Sequence, residues 1–326
     1  MIKLSAGTAH VLGLKKLATD ALPTTAYLMK GEKCTHDCGF CPQARNASSR
    51  ADLLSRVTWG EAEEEEIVRG VGTAFSTGQL KRACLQVVDG CQVLEQVKDT
   101  VSKLKRYSDI PICVSAKVKS TAELLALAET GVQRIGLALD AACARVFTAT
   151  KTGSWEQALG QIQEAARLLP GRISTHLIVG LGETEEEMVA MLQMLRDWHV
   201  TVGLFAFTPV PGTRMAEVRP PALGHYRRMQ AACYLISNSL IKAADCSFDS
   251  GRLGSFGLPV DKLREYLKDG KAFETSGCPD CNRPYYNEKP GGTMYNYPRP
   301  LQPEEIQAAL ELVIESLKGN EVIPDG

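Results

Sequence analysis

Short β-branched runs alternate with amphipathic stretches between residues 24 and 240, and this alternation limits the chain to parallel strands covered by helices. Strands are predicted at 25–29, 83–88, 111–116, 134–139, 173–179 and 202–207. Helix-start chemistry follows them: Thr58-x-x-Glu61, Ser120-x-x-Glu123, Ser154-x-x-Gln157 and Thr184-x-x-Glu187 all read as capping boxes. After Ser154, apolar residues recur at helical spacing in Trp155, Ala158, Leu159, Ile162, Ala165, Ala166 and Leu169. The acidic run 61–66 reads as a solvated helix face near a helix N-terminus. Six such units predict an α/β fold, a partial (β/α)6 barrel of the TIM type over 24–240. Residues 1–23 read as a helical lead-in, and 241–326 as an extension across the barrel mouth, because Ser, Gly, Asp, Pro and Asn dominate there until an apparent helix at 303–317.

Directly after the first predicted strand stands Cys34-Thr-His-Asp-Cys38-Gly-Phe-Cys41. Three soft thiolates on one tight loop can hold three irons of a [4Fe–4S] cluster. No further cysteine follows until Cys84, which leaves one iron open to a non-protein ligand. The competing reading is a zinc loop, although zinc usually takes paired CxxC knuckles. A second set lies in the extension, Cys246 with Cys278-Pro-Asp-Cys281, and supplies three ligands for a second, auxiliary [4Fe–4S] cluster or else a zinc knuckle or free thiols. Cys84 and Cys113 read as buried strand thiols, and Cys91, Cys143 and Cys233 as core or helix thiols. His36 reads as a loop residue, whereas His176 could face the barrel interior.

Eleven cysteines, an odd count, fit a reducing compartment, and the first residues lack signal-peptide character, so a cytoplasmic location is expected. No apolar run reaches membrane-spanning length. Lys and Arg balance Asp and Glu to a formal charge of −1, with no basic block, so neither nucleic acid nor membrane is an expected partner.

The CxxxCxxC loop with its open iron resembles the radical S-adenosylmethionine (radical SAM) superfamily. The resemblance implies that SAM binds the open iron and that one-electron reduction, from a donor such as ferredoxin or flavodoxin, cleaves it to a 5′-deoxyadenosyl radical. Cys34, Cys38 and Cys41 would then be the catalytic cluster ligands. By the same resemblance Phe40 lies near adenine, Asp89 of Val88-Asp89-Gly90 meets the methionyl amine, and Asp140 meets the ribose. Ile178, Gly180 and Glu183, in Ile178-Val-Gly180-Leu-Gly182-Glu183, match the fifth-strand motif that contacts adenine and shapes the turn.

The Cys41-Pro-Gln continuation looks like biotin synthase, and Cys84 and Cys113 fall where that enzyme places ligands of a sacrificial cluster. Ser174 stands near its third cysteine position, and Gly136-Leu-Ala138-Leu-Asp140 lacks its strand asparagines. The extension, with Cys278-Pro-Asp-Cys281-Asn-Arg-Pro-Tyr285-Tyr286, Pro290-Gly-Gly and Tyr295-Asn-Tyr297, is similar to the biotin-synthase-like lipoyl synthases. That similarity implies a sulfurtransferase that inserts sulfur from the auxiliary cluster into an octanoyl chain on a lipoyl carrier protein or peptide, working with a paired, related enzyme. Biotin synthase or another small-molecule radical SAM enzyme is the alternative, and a non-catalytic iron–sulfur protein is the second. The four tyrosines, Tyr285, Tyr286, Tyr295 and Tyr297, suit either a carrier-protein surface or packing of the extension.

Overall fold

The computed structural model describes residues 2–288 and 291–318. Pro290 of the Pro-Gly-Gly motif and the outermost residues of the domain ranges, 1 and 319–326, lie outside the described residues. The strands are β1 (Ile2–Ser5), β2 (Thr25–Lys30), β3 (Leu53–Leu54), β4 (Val57–Ala62), β5 (Arg82–Val87), β6 (Ile112–Ser115), β7 (Arg134–Gly136), β8 (Ile173–Val179) and β9 (Thr201–Ala206). They form a nine-stranded curled sheet in the order β3-β4-β1-β2-β5-β6-β7-β8-β9. Strands β2, β5, β6, β7, β8 and β9 pair in parallel and correspond to the six predicted strands. This is the α/β partial barrel expected from the alternation. Every residue of β2 is buried, as a strand covered on both faces requires.

Helices shield the outer face of the sheet. In Trp155–Leu168 the predicted apolar stripe buries Ile162, Ala165 and Ala166. Ser120 and Ser154 accept from the N–H of Glu123 and Gln157, and Thr184 with Glu187 makes a full capping box. Thr58-x-x-Glu61 is different: both residues lie within β4, which pairs antiparallel with β1, so ladder bonds replace the cap. The helix begins instead at Glu64. The acidic run is correspondingly split, and Glu64 is not a solvated side chain. It meets Lys30 of β2 at 3.1 Å and Lys103 at 3.4 Å, the latter on the helix Val93–Tyr107 packed beside it. The lead-in is only partly helical, since β1 precedes the short helix Ala6–Val11. Among the described residues no helix is long and apolar enough to cross a membrane.

Six parallel strands cannot close a barrel, and β2 does not pair with β9. The extension fills the open side. At the base of the barrel the Asp280 carbonyl accepts from the hydroxyls of Thr24 and Thr25, and the Pro279 carbonyl accepts from Arg82 Nε at 2.8 Å. Higher up, the Ser276 hydroxyl takes the Leu204 N–H of β9. At the mouth, Asn287 donates to the Ala206 carbonyl and Thr208. The extension thus runs from base to mouth, bonding to both edges of the parallel sheet.

The helix Leu223–Ser237 holds the returning segment from outside. Arg227, 2% exposed, donates to the carbonyls of Tyr295 and Met294 and stacks on the rings of Phe273 and Tyr297. Tyr295 donates to the Pro221 carbonyl and packs edge-on against Tyr226. These tyrosines therefore pack the extension onto the barrel. Replacing Arg227 with Met removes the bonds to two partly buried carbonyls and the bond to buried Gln230, and we expect a loss of about 2–4 kcal/mol in denaturant unfolding. Limited proteolysis should then cut near residues 275–300 faster than in the unaltered protein.

Candidate active site

The cysteine loop leaves β2 through Gly31, whose φ of 101° favours glycine and where a Cβ would lie 2.3 Å from the Val88 carbonyl oxygen. Backbone bonds fold the loop tightly: Cys41 N–H to Cys38 O at 3.1 Å, Cys34 N–H to Gln43 O at 3.2 Å, and Gly39 N–H to Thr150 O at 2.7 Å. The Cys34 sulfur accepts from the His36 N–H at 3.4 Å. Cys34 and Cys41 open into a central cavity of about 280 Å³, and Cys38 lies beside them closely enough for the three thiols to interact electrostatically. Burial pushes Cys38 up to about 11 and Cys41 up to about 12, so a metal that takes these thiols must displace their protons. His36 is occupied by Thr152, Asp89 and Lys117, in keeping with a loop role.

The expected SAM contacts divide into two groups. Phe40, Asp140 and Ile178 line the same cavity as Cys34 and Cys41. Asp140 has φ 65° at the end of an irregular continuation of β7, and its carboxylate pairs with Lys151 at 2.6 Å. Asp89 lies beside the cluster loop and is held by Thr35 at 2.7 Å and His36 at 3.1 Å. Gly180 and Glu183 serve the turn: the Glu183 carboxylate accepts from the N–H groups of Gly180 at 2.7 Å and Leu181 at 3.0 Å. Burial raises Glu183 despite these bonds. The fifth-strand motif thus shapes the wall on which Ile178 stands.

Deeper in the cavity the curled sheet sets a second row. Tyr27, Cys84, Cys113 and Arg134 are successive register partners on β2, β5, β6 and β7. Cys278 and Cys281 of the extension reach the same cavity, with the Cys113 and Cys278 sulfurs 3.7 Å apart. Cys278 is drawn down by the bond it accepts from Cys113 and by Arg134, Arg82 and Arg283, while that shared proton and burial hold Cys113 up. Burial likewise raises Cys84 and Cys281.

Cys246 is not brought to this group. It caps the 3-10 turn Ala243–Asp245, and its sulfur faces the Lys242 carbonyl at 3.9 Å, outside the cavity wall. That turn sits against the helix Glu185–Asp197, where Gln193 accepts the Ala243 N–H. The expected set of Cys246, Cys278 and Cys281 is therefore not assembled, because its first member lies on the outer helical layer.

Sequence reasoning also missed Arg82, Arg283 and Tyr27. Arg283 stacks over Phe205 at 4.1 Å and its backbone N–H donates to the Tyr27 hydroxyl at 2.8 Å. The only hint was an arginine two residues beyond Cys281.

Among the described residues no three His, Cys, Asp or Glu side chains converge on the position of a single ion. Three thiols on one short loop fit instead an iron–sulfur cluster, which spreads its thiolates over several irons. Phe40 and Ile178 offer apolar surface and Asp140 a carboxylate on the cavity side of that loop, a donor set that suits a nucleoside.

Residues 28–195 match the family model described as the radical SAM superfamily. Biotin synthase of Parabacteroides distasonis is 27% identical over 195 residues, covering 58% of this chain and 57% of its own. Biotin synthase of Desulforudis audaxviator is 30% identical over 218 residues, covering 65% and 64%. The chain thus spans 57% to 64% of the length of these two relatives. Among solved structures, the FeFe-hydrogenase maturase HydG from Carboxydothermus hydrogenoformans aligns with TM-score 0.53 and 14% identity, covering 90% of this chain and 66% of its own. Methylornithine synthase (PylB) aligns with TM-score 0.51 and 15% identity, covering 71% and 65%. These two likenesses are of fold.

His176 on β8 also lines the cavity, edge-on to Phe205. Burial lowers its pKa to about 4, against the opposing pull of Asp140 and with Arg283 and Lys151 adding to the lowering. The unfolded chain therefore binds this proton first as pH falls, so stability should decline from about pH 6.5 toward 4. In the metal-free protein we expect the His176 imidazole to stay neutral at pH 5.5 by NMR. His176→Phe should flatten the part of the stability profile above about pH 5, where carboxylates titrate little.

Proposed function

Because the chain belongs to the radical SAM superfamily, we propose that it is a sulfurtransferase acting on an unactivated hydrocarbon, an octanoyl chain carried on a lipoyl carrier protein or peptide. The observation that carries this reading is the single cavity in which Cys34 and Cys41 face Cys84, Cys113, Cys278 and Cys281. Sulfur ligands for a second cluster thus lie within one enclosure with the SAM-cleaving loop.

Cys34, Cys38 and Cys41 would hold the SAM-cleaving [4Fe–4S] cluster. Bound there with SAM, that cluster would supply a 5′-deoxyadenosyl radical on one-electron reduction, and a second cluster would supply the sulfur and take up the electron left over when a C–S bond replaces a C–H bond. The chain's own residues provide the setting for this exchange. Trp59, Val88, Phe205 and Phe207 give the cavity walls that suit an alkyl chain, and the extension excludes water on the open side. Lys151 holds the Asp140 carboxylate in place through its 2.6 Å contact. No proton has to be taken from carbon in this exchange; His176 lines the cavity edge-on to Phe205, and the Asp140 carboxylate is engaged by Lys151. A one-electron donor such as ferredoxin or flavodoxin and a paired radical SAM enzyme complete this reading.

Conversion of dethiobiotin is a second reading, favoured by relatives at 27% and 30% identity that are biotin synthases. Against it, Gly136 and Ala138 line the cavity where the resemblance to biotin synthase calls for asparagine side chains.

The test uses anaerobically reconstituted, reduced protein with SAM and an octanoyl-lysine carrier peptide, with dethiobiotin in parallel. We expect 5′-deoxyadenosine release together with a peptide mass gain of sulfur, and no biotin. Cys41→Ala should reduce 5′-deoxyadenosine to background. Biotin formation with an untouched octanoyl peptide would transfer the assignment to the second reading, and absence of SAM cleavage would sink both.

A further inference from the structure

We propose that Cys84, Cys113, Cys278 and Cys281 together hold the second iron–sulfur cluster, two ligands coming from the barrel strands and two from the extension, and that Cys246 takes no part. This deepens the sulfur-insertion reading by giving the donor cluster its ligands, although the ligand set stands on geometry alone.

The first observation is convergence. Cys84 and Cys113 are register partners on adjacent parallel strands, about 4.8 Å apart in backbone spacing. Cys278 brings its sulfur to 3.7 Å from Cys113. Two thiolates on one tetrahedral metal, each at about 2.3 Å, lie about 3.8 Å apart, so this pair stands as two ligands of one iron would, the pairing of a [2Fe–2S] cluster, because each iron of a [4Fe–4S] cluster takes a single cysteine. Cys281 follows through a tight turn, with its N–H on the Cys278 carbonyl at 3.1 Å.

The second observation is that polar groups are already aimed at the sulfurs. Arg82 Nη1 donates to Cys113 at 3.0 Å, Gln86 Nε2 donates to Cys84 at 3.0 Å, and the Tyr27 hydroxyl lies 3.4 Å from Cys281. Donors at this range stabilise thiolates and orient them, as the outer shell of a metal site does.

The third is charge. Arg82 is 3% exposed and Arg283 sits on the Phe205 ring inside the cavity. Their hydrogen bonds go to the Pro279 and Ser276 carbonyls and to the Cys113 sulfur, and among the described residues neither forms an ion pair with a carboxylate. A guanidinium keeps its charge, and a buried charge needs a partner. Ionised, metal-bound thiolates supply it.

Ser174 completes the picture from the opposite side. It lines the cavity on β8, at the position near which the biotin-synthase resemblance puts a third strand cysteine. The extension delivers in its place two thiols that no strand provides.

The test counts iron and sulfide in protein whose Cys34, Cys38 and Cys41 are all changed to Ala, so that only the second site remains. Each of Cys84→Ser, Cys113→Ser, Cys278→Ser and Cys281→Ser in that background should lower bound iron at least several-fold, and Cys246→Ser should leave it unchanged. Two or four irons per chain, lost in these four variants, supports the assignment. Iron that survives Cys84→Ser and Cys113→Ser but disappears with Cys246→Ser overturns it, as does zinc in place of iron. To separate ligand loss from misfolding, the four serines are also placed together in protein with an intact Cys34–Cys38–Cys41 loop. Retention there of the reduced [4Fe–4S] electron paramagnetic resonance signal, shifted by SAM, shows that the barrel folds. Because these readouts need no substrate, failure of the octanoyl reading would leave them standing.

Discussion

The gap between β2 and β9 is the constraint on which the rest of this structure depends. The six parallel strands end in a free edge at β9, and because β2 pairs with β1 rather than β9 the interior is open on one side. The extension covers the opening by bonding to Thr24 and Thr25 at one side of it and to Leu204 and Ala206 at the other. Its inward side chains become the missing wall, and two of them are cysteines.

Placing ligands on that wall links metal binding to closure of the barrel. A cluster spanning Cys84, Cys113, Cys278 and Cys281 would cross-link strands to extension, and its binding energy would add to the stability of the closed form. Gly203 shows how close the fit is. A Cβ there would lie 3.1 Å from the Arg283 guanidinium and 3.3 Å from the His176 ring, so a side chain on β9 at that point would press on both groups. The same closeness lets Arg283 stack on Phe205 two residues along the strand.

The buried charges follow from this arrangement. Arg227 is solvated by carbonyls of the extension and by two aromatic faces, whereas Arg228 is neutralised by Glu185. Arg82 and Arg283 have only neutral carbonyls, a ring and sulfur. Side by side in one molecule, these arginines mark the thiol group as the place where negative charge is expected.

The sequence by itself determined what depends on near neighbours in the chain. The six strands follow from runs of β-branched residues, and the Cys34, Cys38 and Cys41 loop follows from spacing, because a few residues cannot carry three thiols far apart. Phe40 and Ile178 reached the cavity as their motifs suggested. Local signals failed where a partner strand decided the outcome: Thr58 and Glu61 carry a cap pattern but lie in β4, where Glu61 pairs with Lys3 of β1 and Thr58 with Leu53 of β3. Glu183 holds the turn of its own motif through the N–H groups of Gly180 and Leu181. Only the tertiary structure separated Cys246 from Cys278 and Cys281, and joined the latter two to Cys84 and Cys113, with Cys278 standing 165 positions after Cys113. Spacing says nothing across such a distance; sheet register and the path of the extension over the open edge choose which thiols meet.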